Sequence, residues 1–138
     1  MRRVTWLTLL SLLLSPALLS AETFTGSFQG TGRSCEGSLT IRDKTLSWLT
    51  PFSQCRRVRY QIIERHQKGN VFHAIYVLEN PSPACRYKIL SLTHDHSPDP
   101  DIGWEVIGYG SKQVYQESKR EHTATRLPGM MSCALVTQ

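Results

Sequence analysis

The sequence predicts an all-β fold, a small antiparallel up-and-down β-barrel of about 7–8 strands stabilised by disulfides. Three observations predict it. Short runs alternate apolar and polar residues with a period of two. Gly, Pro, Asn and Asp interrupt those runs at hairpin spacing. No segment of the folding region carries an apolar stripe at the helical period. Closing the sheet removes its exposed edges, which favours a barrel. A β-sandwich of the same strands is the alternative, because both architectures leave similar cues.

The first strand is expected over Thr23 to Gln29, with Phe24 and Phe28 on one face, and Gly30-Thr31-Gly32 breaks it. Glu36 to Arg42 alternates Leu39 and Ile41 with Ser38 and Thr40, and Asp43-Lys44 turns tightly into Thr45 to Thr50, where Leu46 and Trp48 share a face. After Pro51 a longer strand from about Cys55 to Arg65 sets Val58, Tyr60 and Ile62 against Arg57, Arg59 and Gln61. Lys68-Gly69-Asn70 makes the next turn. Val71 to Leu78 is nearly continuous in apolar residues, the pattern of a central or doubly covered strand. Beyond Asn80-Pro81-Ser82-Pro83, Cys85 to Thr93 sets Tyr87 and Ile89 against Arg86 and Lys88. A loop from His94 to Gly103 leads to Trp104 to Tyr109; Gln116 to Thr125 reads as polar and exposed with a turn of helix, and Ser132 to Thr137 is the last strand.

Residues 1–21 have the three parts of a cleaved signal peptide: Met1-Arg2-Arg3, an apolar run from Trp6 to Leu14, and Ala21 before Glu22-Thr23. The apolar run is shorter than the roughly 20 residues a membrane-spanning helix needs. Residues 22–138 then form one disulfide-stapled domain, since no composition shift or linker divides them. Loss of Arg2 and Arg3 leaves fourteen basic against eleven acidic residues, so the +5 of the 138-residue chain becomes +3. A periplasmic or secreted protein is expected, in a bacterial cell envelope. At 40% hydrophobic and 20% charged residues, the composition excludes a disordered, collagen-like or multi-span membrane chain.

Export takes Cys35, Cys55, Cys85 and Cys133 to a compartment where disulfides persist. Without a Cys-x-x-Cys pair, zinc-ribbon and redox readings have no support. In an up-and-down path all four cysteines fall at the starts of even-numbered strands, at one rim of the barrel. Three pairings are open, and the preferred one is Cys35–Cys55 with Cys85–Cys133.

Chemistry concentrates in three places. His94, His96, Asp99 and Asp101 share one loop and are the candidate metal ligands, His94 and His96 pointing the same way if the segment is extended. Arg56, Arg57, Arg59, Arg86 and Lys88 form a candidate basic stripe for phosphate, acidic glycans or an acidic partner. The aromatic set from Phe24 to Tyr109 is expected to fill the interior, as side chains do in small barrels. His66 and His73 flank a turn and are placed to face each other. No Gly-x-Ser-x-Gly elbow or phosphate-binding loop occurs, so an enzyme is not expected.

The export signal, small β-rich body and paired cysteines resemble, in general style, bacterial periplasmic β-barrel proteins such as lysozyme inhibitors and lipocalin-like carriers. Gly26-Ser27-Phe28 echoes the lipocalin Gly-x-Trp with Phe in place of Trp. The resemblance names no family. The expected function is non-enzymatic binding of a protein or anionic envelope component through loops or the basic strand face, enzyme inhibition being one version. Its positive charge disfavours a lysozyme target, since lysozymes are commonly basic and steering needs opposite signs. The alternatives are a carrier of a small apolar ligand and a metal-binding protein using the His94–Asp101 loop. No cofactor, nucleic acid or membrane insertion of the mature chain is expected, and the chain is read as a monomer.

Overall fold

Period-two alternation turns into an inner and an outer face as soon as the strands close on each other. The computed structural model describes residues 23–95, 97–121 and 126–138; the predicted signal peptide and His96 lie outside the described residues. Eight strands follow the chain in order: β1 (Gly26–Gly30), β2 (Ser38–Ile41), β3 (Thr45–Thr50), β4 (Ser53–Lys68), β5 (Val71–Leu78), β6 (Ile89–His94), β7 (Trp104–Tyr109) and β8 (Met130–Thr137). Each pairs antiparallel with the next, and β1 pairs with β8 through Phe28–Thr137, Gln29–Val136 and Gly30–Leu135, so the barrel is closed. The sandwich alternative is thereby set aside.

Inward-facing positions carry the apolar residues that the alternation supplies: Leu39 and Ile41 on β2, Leu46 and Trp48 on β3, Phe72, Ala74, Tyr76 and Leu78 on β5, Leu90 and Leu92 on β6. Trp48, Tyr76 and Phe28 are each 1% exposed, so the interior is filled with side chains. Gly108 on β7 is where this core needs a missing side chain. A Cβ there would come within 2.5 Å of the Trp48 ring and 2.7 Å of the Tyr87 ring.

A nine-residue helix, α1 (Lys112–Arg120), lies against the outside of the barrel. Ser111 caps it, its Oγ accepting a bond from the Val114 N–H at 3.2 Å. Tyr115 is the buried residue of α1, packing on the outward side chains of Ile75, Ile89 and Tyr109 in a second, smaller apolar cluster. Tyr109, expected inside with the other aromatics, faces outward beneath this helix.

The disulfides are Cys35–Cys133 and Cys55–Cys85, which corrects the preferred pairing. The reason is topological. Closure brings β8 beside β1, and the Thr31 N–H donates to the Ala134 carbonyl next to the first bridge. Two disulfides point to an oxidising compartment. Among the described residues no helix is long and apolar enough to cross a membrane.

Candidate functional site: two outer clefts on either side of β4

Strand β4 is sixteen residues long and irregular twice. Its pairing with β3 shifts register between Leu46–Val58 and Trp48–Cys55, leaving Arg56 and Arg57 as extra residues opposite Ser47. Arg57 has φ +46°, a left-handed conformation uncommon away from glycine, and its N–H donates to Ser47 Oγ at 2.8 Å. A second shift, against β5, falls between Ile62 and Glu64 and leaves Ile63 as the extra residue, 55% exposed. Bulges re-aim side chains and recur beside functional sites. Here each turns one residue toward a cleft on the outer surface.

The first cleft, about 320 Å³, runs over β2 and β3. Its lining combines the hydroxyl residues Ser38, Thr40, Thr45 and Ser47 with Leu46, Leu49 and two arginines, Arg42 and Arg57. Arg59 lies at its border as the register partner of Thr45. Among the described residues none of these three arginines forms an ion pair.

The second cleft, about 610 Å³, runs between α1 and the outer faces of β4, β5 and β6. Ile63, Val77, Ile89 and Tyr115 supply apolar surface, and Lys88, Lys112 and Lys119 supply the charge. Lys119 pairs with Glu64 at 3.7 Å and sits over the Tyr115 ring. Tyr115 and Glu64 together hold its ammonium above the ordinary lysine range.

The five residues of the predicted basic stripe are all exposed, but they do not form one stripe. Arg57 lines the hydroxyl cleft with Arg59 at its border, and Lys88 lines the apolar one. Arg56 and Arg86 each follow a cysteine of the Cys55–Cys85 bridge, where the Arg86 N–H donates to Ser53 Oγ at 2.9 Å. Arg42, Lys112 and Lys119 were not anticipated. The sequence does carry a trace of both bulges: buried Cys55 and Val58 are three apart instead of two or four, and Ile62-Ile63 is an apolar doublet in an alternating run.

Of the four candidate metal ligands, His94, Asp99 and Asp101 are described, and each is hydrogen-bonded within the protein. His94 is 3% exposed, its ring turned into the end of the barrel. Nδ1 lies 2.7 Å from the Asn70 carbonyl oxygen, and Nε2 lies 2.9 Å from that of Ile102 and 3.1 Å from that of Asp99. Carbonyls only accept, so all three bonds form only when both ring nitrogens carry protons. Burial opposes that charge; the bonds from Asn70, Asp99 and Ile102, with the nearby Asp95, outweigh it and raise the pKa above the ordinary 6.5. A ring so engaged has no lone pair for a metal. Asp99 Oδ1 accepts from the Asp101 N–H at 2.9 Å, and Asp101 Oδ1 accepts from Thr137 Oγ1 at 2.6 Å, tying the loop to the last strand. Among the described residues no three His, Cys, Asp or Glu side chains converge on a point.

On the outer face His66 pairs in register with His73. Ser91 Oγ lies 3.4 Å from His73 Nε2, and His73 Nδ1 lies 3.9 Å from Glu64 Oε1. The order is that of a nucleophile, base and orienting carboxylate. Ser91 is 6% exposed and sits mid-strand between two paired neighbours, where the ladders engage the backbone N–H groups that an oxyanion would need. The trio therefore reads as packing of the outer face.

At the barrel end, Phe24, Phe72, Trp104 and His94 border a depression of about 180 Å³. Small-molecule sites commonly take ~300–1,000 Å³, so this mouth is small for a carried ligand. No family model, no curated protein sequence and no solved structure matches the chain.

Proposed function

We propose that the chain is an exported, non-enzymatic binding protein, periplasmic or secreted, that engages an anionic envelope component through the outer face of β2, β3 and β4. The observation that carries this reading is Arg57. A non-glycine residue is held at φ +46° in a bulge, and it lines a cleft with four hydroxyl residues, a second arginine and two leucines. Backbone strain persists where surrounding structure enforces it, and it clusters at functional positions. Guanidinium groups meet phosphate or sulfate oxygens through two parallel N–H bonds, and the hydroxyls donate to the oxygens left over. The filled interior favours surface binding over internal carriage of an apolar ligand.

Dextran sulfate, titrated into the oxidised protein against neutral dextran of the same length, tests this reading. Preferential binding that weakens with salt and falls at least tenfold in the double variant Arg42→Ser/Arg57→Ser is the expected result. Equal binding of the neutral polymer, or an unchanged affinity in the double variant, would overturn it.

A further inference from the structure

We infer that the cleft between α1 and β4–β6 is a second site, for the hydrocarbon chain and charged head of a long-chain carboxylate. It lies apart from the hydroxyl cleft and does not depend on the reading of that surface.

Three independent features converge there. First, the volume of about 610 Å³ falls within the range of small-molecule sites, ~300–1,000 Å³. Second, the floor is apolar where an outer barrel face is ordinarily polar. Val77 and Ile89 lie on it, Tyr115 closes one side, and the β4 bulge leaves Ile63 exposed on the other. Of the large apolar side chains that the described surface exposes, Ile63 is the most exposed, at 55%.

Third, the charge is polarised along the cleft. The Lys88 N–H donates to the Tyr109 carbonyl, three residues before Lys112, so Lys88 and Lys112 stand at the same end. Among the described residues neither is in an ion pair. Lys119 lies seven residues along α1, roughly 10 Å away at the helical rise, and is already matched by Glu64. A carboxylate head therefore belongs at the Lys88–Lys112 end, with its chain laid over Ile89, Val77 and Ile63. Lys112 also occupies the first position of α1, whose first turn has no acidic residue. A cation beside the positive end of the helix dipole opposes helix stability, the kind of local conflict that a binding role explains.

Equilibrium dialysis with radiolabelled palmitate tests the site, with hexadecanol as the uncharged competitor and hexadecyltrimethylammonium as the cationic one. One palmitate per chain is expected, with weak competition from either analogue. Ile63→Asp and Lys112→Glu should each lower the affinity at least tenfold. Both residues are exposed, so the fold tolerates the changes, and circular dichroism of the variants checks it. Phe52→Asp alters an equally exposed apolar residue elsewhere and should leave binding intact. Competition by hexadecanol as strong as unlabelled palmitate, wild-type affinity in Ile63→Asp or Lys112→Glu, or an equal loss in Phe52→Asp would each overturn the site. Those results would leave general surface stickiness or a different occupant, such as a second copy or an acidic peptide.

Discussion

The rings of His94 and Trp104 stack with centroids 4.7 Å apart and planes 24° apart, while the indole N–H donates to the Pro100 carbonyl at 2.8 Å. The pair grips residues 99–102 from within, since the His94 ring also holds the Asp99 and Ile102 carbonyls. Because the folded pKa of His94 is raised above 6.5, its charged form stabilises the fold below that value. The contribution is lost as pH rises through the higher, folded pKa. Denaturant melts should therefore show stability falling from about pH 6 toward alkaline pH, by an amount that His94→Gln removes. At pH 6 the substitution should cost about 2–3 kcal/mol, because charged buried bonds are lost. Parallel pH profiles for the two proteins would count against the clasp.

Tyr76 presents the opposite case. It is 1% exposed, and its hydroxyl, among the described residues, has no hydrogen-bond partner. Burial, and then the neighbouring Tyr60, push its pKa well up, so it stays neutral. Tyr76→Phe deletes an unsatisfied polar group without changing the ring's packing. Stability should hold or rise by up to about 1 kcal/mol, read as the denaturant midpoint at constant m-value.

Gly108 gives a steric prediction. Ala at this position drives a methyl into the Trp48 and Tyr87 rings and should destabilise by about 1–3 kcal/mol through overpacking. Thermal unfolding of Gly108→Ala, with near-ultraviolet circular dichroism reporting the two rings, checks it.

The disulfides divide by the loop each closes. Cys35–Cys133 spans 98 positions and Cys55–Cys85 spans 30. On the chain-entropy argument the first contributes about 4.7 kcal/mol and the second about 3.6 kcal/mol. Cys35→Ser/Cys133→Ser should thus be the less stable of the two double variants, and non-reducing peptide mapping should return only these two pairs.

Lys112→Glu separates stability from binding. A carboxylate at the first position of α1 complements the dipole that the lysine opposes and should raise stability by about 0.3–1 kcal/mol while palmitate binding falls.

Strands were legible because most have one buried face and so alternate, while β5 and β6 are covered by α1 on the outside as well and β5 reads as a nearly continuous apolar run. Thr45–Thr50, Val71–Leu78 and Trp104–Tyr109 lie where alternation and turn residues place them. Strand β6 begins at Ile89, not Cys85, because Cys85 to Lys88 crosses the rim, held by the Cys85 N–H to the Ser82 carbonyl. Helix α1 begins at Lys112, ahead of the polar segment expected to turn, and its nine residues bury only Tyr115, too little for a periodic signal. The disulfide pairing was hidden because proximity in a closed barrel is set by the β1–β8 seam, which joins residues more than a hundred positions apart. Both clefts escaped notice for a related reason. They depend on bulges that shift one side chain across a face, and the pattern registers these only as small lapses in alternation.

The bridge from Cys55 to Cys85 lies wholly inside the loop that Cys35 and Cys133 close. Every hairpin from β2 to β8 is thus spanned by at least one covalent link. A protease that clips any one of these turns nicks the chain without releasing a fragment, so the cut protein remains a single molecule until it meets a reductant.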